Sequence, residues 1–432
     1  MTTIAQQAPF TLEETGLSFD LVLQIATKTL FFAGDLSGVY LAERLGVGFQ
    51  VVEPVLEQLR RERQCEIAGG STVGALSYRY RLTDAGRTRA NLFLEHNRYV
   101  GPLPVPLQQY TAYMRQLAAQ SRVNATHESV SRAFAHLVIS RRVFDQLGPA
   151  IAARHSLFVY GPPGNGKTVI AQAIRNLLTG DVMVPYAIEV EGQIIRVFDP
   201  VNHEPIDATT PHGNGIERRF DGDARWMRCR PPLVTVGGEL TLDALDLTST
   251  APGLYQAPVQ MTANGGVLVI DDFGRQHAPP HALLNRWIVP LETRVDHLRL
   301  QTGQKIEIPF LVFVVFATNL KPADLADEAF LRRIQYKVCA ESPTPAEFVE
   351  IFVNYCRDHD LPVEPELAYG LIDDQLRRRR VPLRGCQPRD LIEHALSLAC
   401  YQGEPRALTP ALLSAACDSY FVADHDEELE TV

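Results

Sequence analysis

The residues of this chain whose types and spacing could do chemistry begin with an eight-residue stretch, Gly161 to Thr168, that reads Gly-Pro-Pro-Gly-Asn-Gly-Lys-Thr. It matches G-x-x-x-x-G-K-[ST], in which glycines let backbone N–H groups turn toward phosphate oxygens. The apolar run Leu157–Tyr160 precedes it, and a helix-like stretch through about Leu178 follows. The pattern predicts a strand, a loop and a helix whose N-terminus adds partial positive charge. We therefore expect a nucleoside triphosphate to bind here.

Roles within this loop follow from side-chain chemistry. Lys167 is expected to neutralise the outer phosphates, and the hydroxyl of Thr168 is expected to ligate Mg²⁺, because these positions need a compact ammonium and a small oxygen donor. The expected ligands of the loop are thus a nucleoside triphosphate and Mg²⁺. The predicted nucleotide-binding residues of the loop are Gly161, Pro162, Pro163, Gly164, Asn165, Gly166, Lys167, Thr168 and Val169.

Two carboxylates follow a second apolar run, in the stretch Gly265 to Asp272, which resembles a Walker B motif. A carboxylate at the end of a strand beside the phosphate loop can hold Mg²⁺, so Asp271 is assigned to the metal. Asp272 then occupies the position of a catalytic base. Most proteins with this motif have Glu there, and Asp is one methylene shorter, which shifts the water-polarising oxygen by about 1 Å or more. The sequence leaves the effect on turnover open.

A third apolar run, Phe310 to Ala317, ends in Thr318 and Asn319. Its continuous apolar character predicts a strand of a parallel sheet covered on both faces by helices, with Asn319 placed to orient water or to sense the γ-phosphate. Further along lie Arg332 and Arg333, near a predicted helix end, and Arg389 in a Pro-Arg-Asp segment.

The order and relative spacing of these five features resemble those of AAA+ ATPases, over roughly residues 108 to 422. The resemblance implies an ATP-hydrolysing α/β fold, in which a P-loop parallel-sheet core is followed by an all-helical lid. It makes Asn319 a sensor 1 residue, Arg333 an arginine finger acting on a neighbouring subunit, and Arg389 a sensor 2 residue, with Arg332 as the alternative finger. An arginine supplied by a neighbour suits charge stabilisation in phosphoryl transfer. The active unit implied is a homo-oligomeric ring, expected to be a hexamer.

Two departures distinguish this chain from a minimal core of that family. From Lys167 to Asp271 there are 104 positions, and strand-like stretches predict a β insertion at about 183–236. The role of this insertion is open. A second hairpin, Val295–Leu300 with Lys305–Pro309, precedes the Asn319 strand and resembles the pre-sensor hairpin of enhancer-binding, MoxR-like and helicase-type AAA+ proteins.

The N-terminal region predicts three short helices, a hairpin and a further helix. With Tyr-Arg-Leu-Thr-Asp-Ala-Gly at residues 80–86, it resembles a winged helix-turn-helix domain. The third helix begins with Gln50, Glu53 and Glu57, and residues 18–92 hold nine Lys and Arg against eight Asp and Glu. Because carboxylates repel phosphates, protein docking is favoured over DNA binding, which stays open. A packing domain that orders an oligomer is the third reading.

Composition limits the remaining classes. The chain has 432 residues, a net charge of −10 and seven scattered cysteines, which predicts several domains in a reducing compartment without a structural metal. The longest apolar run is too short for a membrane span, and the N-terminus lacks a signal-peptide pattern, so a cytoplasmic protein without membrane insertion is expected. The predicted organisation is a flexible leader at 1–17, a winged helix-turn-helix domain at 18–100, a Pro-rich linker at 101–107, the core at 108–340, the helical lid at 341–422 and an acidic tail at 423–432.

The leading hypothesis from these features is an oligomeric, chaperone-like AAA+ ATPase that remodels protein clients recruited by the N-terminal domain, similar to uncharacterised bacterial AAA+ proteins described as chaperone-like. The alternatives are a DNA-associated motor or regulator that uses the winged helix, with Arg79 and Arg81 reaching the DNA backbone, and an ATP-dependent switch or scaffold with slow turnover. The client, the pathway and the nucleotide dependence of ring assembly cannot be read from the sequence.

Overall fold

The computed structural model describes residues 7–69, 78–120, 126–153, 156–206, 222–325 and 331–421. Several expectations fall outside these ranges: the first six residues of the leader, nearly all of the hairpin turn at 69–77, residues 327–330 before the arginine pair, and the tail at 423–432. The chain divides into two compact units. The first comprises Met1–Arg122, Leu178–Leu268 and Gln276–Val314, and the second comprises Val123–Leu177, Val269–Arg275 and Val315–Val432.

The described chain contains both helices and strands. The α-helices are α1 Phe19–Ala33, α2 Gly38–Leu45, α3 Phe49–Arg61, α4 Asp84–His96, α5 Leu107–Gln120, α6 His127–Ala133, α7 Arg141–Ala152, α8 Lys167–Arg175, α9 Val259–Thr262, α10 Pro280–Thr293, α11 Pro322–Leu325, α12 Pro345–Asp358, α13 Pro365–Leu371, α14 Gln387–Gln402 and α15 Pro410–Tyr420. The strands are β1 Asp35–Ser37, β2 Cys65–Gly69, β3 Arg79–Leu82, β4 Val105–Pro106, β5 Leu157–Tyr160, β6 Val182–Pro185, β7 Ala187–Val190, β8 Gln193–Arg196, β9 Trp226–Cys229, β10 Leu233–Val236, β11 Thr248–Ala251, β12 Leu254–Gln256, β13 Val267–Ile270, β14 Val295–Arg299, β15 Lys305–Pro309, β16 Phe313–Thr318 and β17 Tyr336–Cys339.

Local chemistry explains where the N-terminal helices of the first unit begin and end. Ser18 caps α1 by accepting a hydrogen bond from the N–H of Leu21, and Ser37 caps α2 in the same way from Tyr40. α2 ends at Gly46, whose φ of 69° is left-handed. Strands β1, β3 and β2 form an antiparallel sheet in that order. The helices and this sheet share one apolar core with residues from β7, β8 and β12.

Within the range of the predicted β insertion, about 183–236, β6 pairs with β9, β7 pairs with β8, and β10 lies beside β13. β7 and β8 belong to a five-stranded sheet of the first unit, which we call the inserted sheet, with the strand order β11, β12, β8, β7, β4. Its β4 strand, Val105–Pro106, comes from the segment expected to be a Pro-rich linker, and it pairs in parallel with β7. Leu103 in the same segment is buried and donates its N–H to the carbonyl of Leu45. The segment is therefore attached to the first unit at two places, through β7 of the sheet and through Leu45 of α2.

The hairpin β14–β15 pairs from Val295 with Pro309 to Arg299 with Lys305. Alternate residues of the hairpin are buried, as expected for strands with one covered face. They pack in a second apolar core, distinct from that of the N-terminal helices, with Ile188 of β7, Ile195 of β8 and Tyr255 of β12. The tip is attached as well, because the amide of Gln304 donates to the Glu191 carboxylate at 2.6 Å. One face of the hairpin is thus fixed on the inserted sheet.

The second unit contains the parallel sheet of the α/β fold. Its neighbouring strands run in the order β13, β16, β5, β17, where β13 and β16 contribute their last residues to this unit. β16 and β17 each pair in parallel with β5, so that Thr318 and Cys339 both lie beside Tyr160. Phe158, Phe316 and Phe273 pack their rings together in the interior. The residues that follow these strands therefore share one edge of the sheet.

Helices α12 to α15 form the last part of the second unit around an apolar core of their own. Thr344 and Glu347 form a capping box at the start of α12. A π-helical turn, Ile372–Leu376, extends α13, and the basic run that follows it is paired with acids one turn earlier, Arg377 with Asp373 and Arg378 with Asp374. Those pairs leave the run without a large excess of positive charge.

Candidate nucleotide-binding site

The loop Gly161 to Thr168 joins β5 to α8 at the carboxyl edge of the sheet. Three of its glycines have positive φ: 139° at Gly161, 77° at Gly164 and 70° at Gly166, the N-cap of α8. Side chains are strained at such angles, which explains the glycines. At Gly161 a Cβ would also lie 2.5 Å from the carbonyl oxygen of Ala340. The backbone thus has the geometry of a loop that presents N–H groups to an anion.

Lys167 lies at the first position of α8 with only 8% of its surface exposed. Its ammonium donates to the carbonyls of Gly161 and Pro162 at 3.2 and 2.9 Å and to Oδ1 of Asn319 at 2.7 Å. Burial lowers the pKa of Lys167, although the charges of Asp271 and Asp272 act in the opposite direction. A buried ammonium held by neutral oxygens is suited to binding an added anion.

The next residue, Thr168, meets the first carboxylate of the Asp-Asp pair. Its hydroxyl donates to Oδ2 of Asp271 at 2.7 Å. These two oxygen atoms lie close enough together to act as ligands of one Mg²⁺ ion, which takes one or two protein oxygens and completes its coordination shell with water and phosphate. Within the described ranges, no group of three or more His, Cys, Asp or Glu side chains could hold a metal ion by itself.

Asp272 follows in a left-handed backbone conformation, with φ of 47°. Asp and Asn tolerate this region better than longer side chains do. The amide of Asn319 donates to Oδ1 of Asp272 at 3.0 Å, and the N–H of Phe273 donates to the carbonyl of Ala317 at 2.7 Å. The ends of β13 and β16 thereby place Lys167, Asn319 and Asp272 in one hydrogen-bonded chain.

The predicted arginines occupy different surroundings. Arg332 is exposed and Arg333 is half-buried, both just before β17. Arg389 in α14 donates to Oδ1 of Asp390 through Nε at 2.9 Å and Nη2 at 2.8 Å, and its side chain is 58% exposed. The neighbouring Asp390 carboxylate raises the pKa of Arg389. The contacts of Arg389 are thus with its own helix.

A loop of the helical region, Arg384 to Gln387, packs directly on the phosphate loop. The N–H of Cys386 donates to the carbonyl of Gly164 at 2.8 Å, and the N–H of Gly385 donates to Oδ1 of Asn165 at 3.2 Å. Asn165 also donates to the carbonyl of Ala340, at 3.2 Å. Asn165, predicted as a nucleotide-binding residue, therefore connects three segments.

Sequence reasoning missed Arg384 and the loop that holds it. The available signal was Leu383-Arg384-Gly385-Cys386-Gln387-Pro388, in which glycine and proline mark a loop before a helix. Its packing partner, more than 200 residues earlier, has no local signature.

The strand, the glycine loop and the helix after it define a P-loop α/β protein. Two family models match parts of the chain: "Magnesium chelatase, subunit ChlI" over residues 140–199, and a "Domain of unknown function (DUF8689)" over residues 344–419. No curated protein matches.

Solved structures similar to this chain include the RuvB Holliday junction branch migration motor of Thermotoga maritima, at 15% identity, with a TM-score of 0.37 and coverage of 65% of this chain and 70% of that one. NtrX from Brucella abortus in complex with ATP is similar at 15% identity, with a TM-score of 0.38 and coverage of 85% of this chain and 69% of that one. Among the described helices, none combines the length and apolar character needed to cross a membrane.

Proposed function

We propose that the protein is an AAA+ ATPase that binds Mg-ATP and hydrolyses it. The observation that carries the proposal is the meeting of Thr168 with Asp271 and of Lys167 with Asn319 and Asp272 at one edge of the parallel sheet. Lys167 and the loop N–H groups bind the phosphates. Thr168 and Asp271 would hold Mg²⁺, which when bound supplies neutralising charge on the phosphate oxygens.

Asp272 accepts the proton of the attacking water, and Asn319 orients the Asp272 carboxylate through its amide. Oδ1 of Asn319 also accepts a hydrogen bond from the ammonium of Lys167, so a phosphate that binds Lys167 competes with Asn319 for that ammonium. Binding of the triphosphate would thus free Oδ1 of Asn319 to accept a hydrogen bond from the attacking water, while its amide still donates to Asp272.

Arg333, with Arg332 as the alternative, supplies a guanidinium to the site of a neighbouring subunit in a homo-oligomeric ring. The partner subunit's site would be incomplete without this charge, so hydrolysis would depend on assembly.

The test is phosphate release by the purified protein with Mg-ATP. We expect Lys167→Ala to lose ATP binding, and Asp272→Asn to keep binding while losing turnover by about 100-fold or more. Lys305→Ala, on the exposed face of the hairpin, is the matched lysine control and should behave as wild type. Wild-type protein that binds ATP without measurable turnover would support the switch or scaffold alternative instead.

The arginine assignment has a separate test. If Arg332 or Arg333 acts on a neighbour, its alanine variant is inactive alone but regains activity when mixed with Asp272→Asn, because mixed interfaces then contain one intact site. Absence of any recovery, or a monomer with a slowly hydrolysed ATP analogue, would contradict the ring.

We further propose that the N-terminal elements form a winged helix that recruits a protein client for remodelling. Arg79, expected to reach DNA, forms two 3.0 Å hydrogen bonds with Asp35, and Arg81 lies 4.0 Å from the same carboxylate. On α3, Arg61 is paired with Glu57. A surface whose arginines lie against acids attracts phosphates weakly.

Two measurements on the full chain separate the client classes. Duplex DNA should show no binding at about 50 mM salt. With ATP, the Asp272→Asn protein should retain client proteins that the Lys167→Ala protein, which lacks bound nucleotide, does not. Strong DNA binding that falls steeply with salt and is lost in Arg79→Glu would support the DNA-associated alternative.

A further inference from the structure

The loop Arg384 to Gln387 is fixed on the phosphate loop through its backbone. Cys386 and Gly385 donate their N–H groups to Gly164 and Asn165. The turn is also held from within, because the N–H of Arg384 donates to Oε1 of buried Gln387, whose amide donates to the carbonyl of Pro382. The backbone at Arg384 is therefore held in place by contacts that do not involve the Arg384 side chain.

Arg384 lies beside the glycines of the phosphate loop. Its Cβ would be 3.6 Å from a Cβ built on Gly164. The guanidinium donates through Nη1 to the neutral hydroxyl of Ser342 at 2.7 Å. Lys167 lies beside the same loop, since its ammonium donates to the carbonyls of Gly161 and Pro162. Two cations that repel each other beside a glycine loop are stabilised together by a polyanion.

Arg389 differs in this respect. Its guanidinium already has a carboxylate partner in Asp390, which also accepts a hydrogen bond from the hydroxyl of Tyr420 at 3.0 Å. Binding of Arg389 to a phosphate would break its ion pair with Asp390, whereas binding of Arg384 would break only its hydrogen bond with the Ser342 hydroxyl. A charge-assisted bond to phosphate is the stronger of the two contacts open to Arg384.

We propose that Arg384 binds the outer phosphates of the nucleotide, a role that neither the motifs nor the family resemblance assigned to it. This inference rests on the proposed function, since it requires ATP to bind at the Gly161–Thr168 loop. The ligand class is a nucleoside polyphosphate. The positively charged side chain from the helical region then completes the phosphate site opposite Lys167.

The experiment measures the affinities of the full chain for ATP, ADP and AMP with fluorescent nucleotide analogues. We expect Arg384→Ala to weaken ATP binding about 10-fold to 100-fold, and AMP binding by less than about 2-fold. A change that merely disturbed the loop would weaken all three nucleotides alike and would overturn the proposal. Ser342→Ala removes the hydroxyl partner and leaves the charge, so it should change ATP affinity by less than about 2-fold.

Arg378→Ala is the matched arginine control, because Arg378 is an exposed arginine of the same helical region that pairs with Asp374. Binding of ATP by Arg384→Ala with wild-type affinity, or an equal loss in Arg378→Ala, would overturn the assignment. Failure of the proposed function has a different signature, because wild-type protein and Lys167→Ala would then bind ATP equally poorly. Thermal unfolding of each variant without nucleotide shows whether the fold is intact.

Discussion

Substitution of Gly164 by alanine tests the packing between the phosphate loop and the helical region. The new Cβ would lie 2.6 Å from Sγ of Cys386, a distance at which one of the two segments must move. Gly164 also has φ of 77°, so alanine adds backbone strain. The two effects are separable, because Gly166 has a similar φ of 70° but nothing within 4 Å of its Cβ position.

The magnitudes follow from this comparison. Gly166→Ala carries the left-handed strain alone, about 1 kcal/mol after allowance for the reduced entropy of the unfolded chain. Gly164→Ala adds a clash typical of overpacking, about 1–3 kcal/mol more. Removing the sulfur by Cys386→Ala leaves only its Cβ, which lies 3.6 Å from the new methyl group, an ordinary contact. The double variant should therefore return close to the strain seen in Gly166→Ala.

The assay is urea unfolding without nucleotide of wild type, Gly164→Ala, Cys386→Ala and the double variant, analysed as a double-mutant cycle, with Gly166→Ala measured beside them. We expect a coupling free energy of about 1–3 kcal/mol between Gly164→Ala and Cys386→Ala, in the direction of rescue. Equal unfolding free energies for Gly164→Ala and Gly166→Ala, or no rescue by Cys386→Ala, would show that the loop of the helical region does not pack on the phosphate loop.

Three further predictions concern other residues. Lys28 is fully buried and donates to the carbonyl of Asn97, and burial lowers its pKa to about 8. Because the unfolded chain binds more protons than the folded one between pH 8 and about 10.5, the free energy of unfolding should rise with pH across that window by up to about 3 kcal/mol. Urea unfolding of Lys28→Met should show no such rise. Asp272→Glu should lower phosphate release about 10-fold or more, because Glu fits the left-handed backbone less well and extends past the amide of Asn319; higher turnover than wild type would contradict this geometry. Arg225 and Asp223 form a buried ion pair in the first unit, so Arg225→Ala, which leaves the Asp223 carboxylate buried without its partner, should lower the free energy of unfolding by about 3–5 kcal/mol. The double variant Asp223→Ala with Arg225→Ala should lower the free energy of unfolding by less, because it leaves no unpaired buried charge.

The α/β class and the elements around the phosphate loop could be predicted because their signals are local. The loop at Gly161–Thr168 has its glycines where φ is positive, and the apolar runs before Gly161 and Asn319 are buried strands in parallel register with each other. The caps of α1 and α2 are local as well, because Ser18 and Ser37 each accept from an N–H group three residues later. In each case the residues that determine the local conformation lie within one short segment of the chain.

The remaining features depend on contacts between distant segments. Arg384 is separated from Gly164 by more than 200 residues, and no local pattern says that Cys386 will pack against a glycine of the phosphate loop. The left-handed conformation of Asp272 is another example, since it follows from how β13 and β16 end together rather than from the Asp-Asp pair itself.

The N-terminal elements are attached to the inserted sheet at several points, which bears on how a client would be held. Leu103 donates to the carbonyl of Leu45, and Asn97 donates to the carbonyl of Gly253, next to β12. Leu254 and Ile194, from the inserted sheet, lie in the same apolar core as α1 to α4. A free proline spacer would let a recruited client move independently of the hairpin β14–β15. Because hairpin, inserted sheet and N-terminal helices belong to one compact unit, a client bound to those helices would instead move with the hairpin.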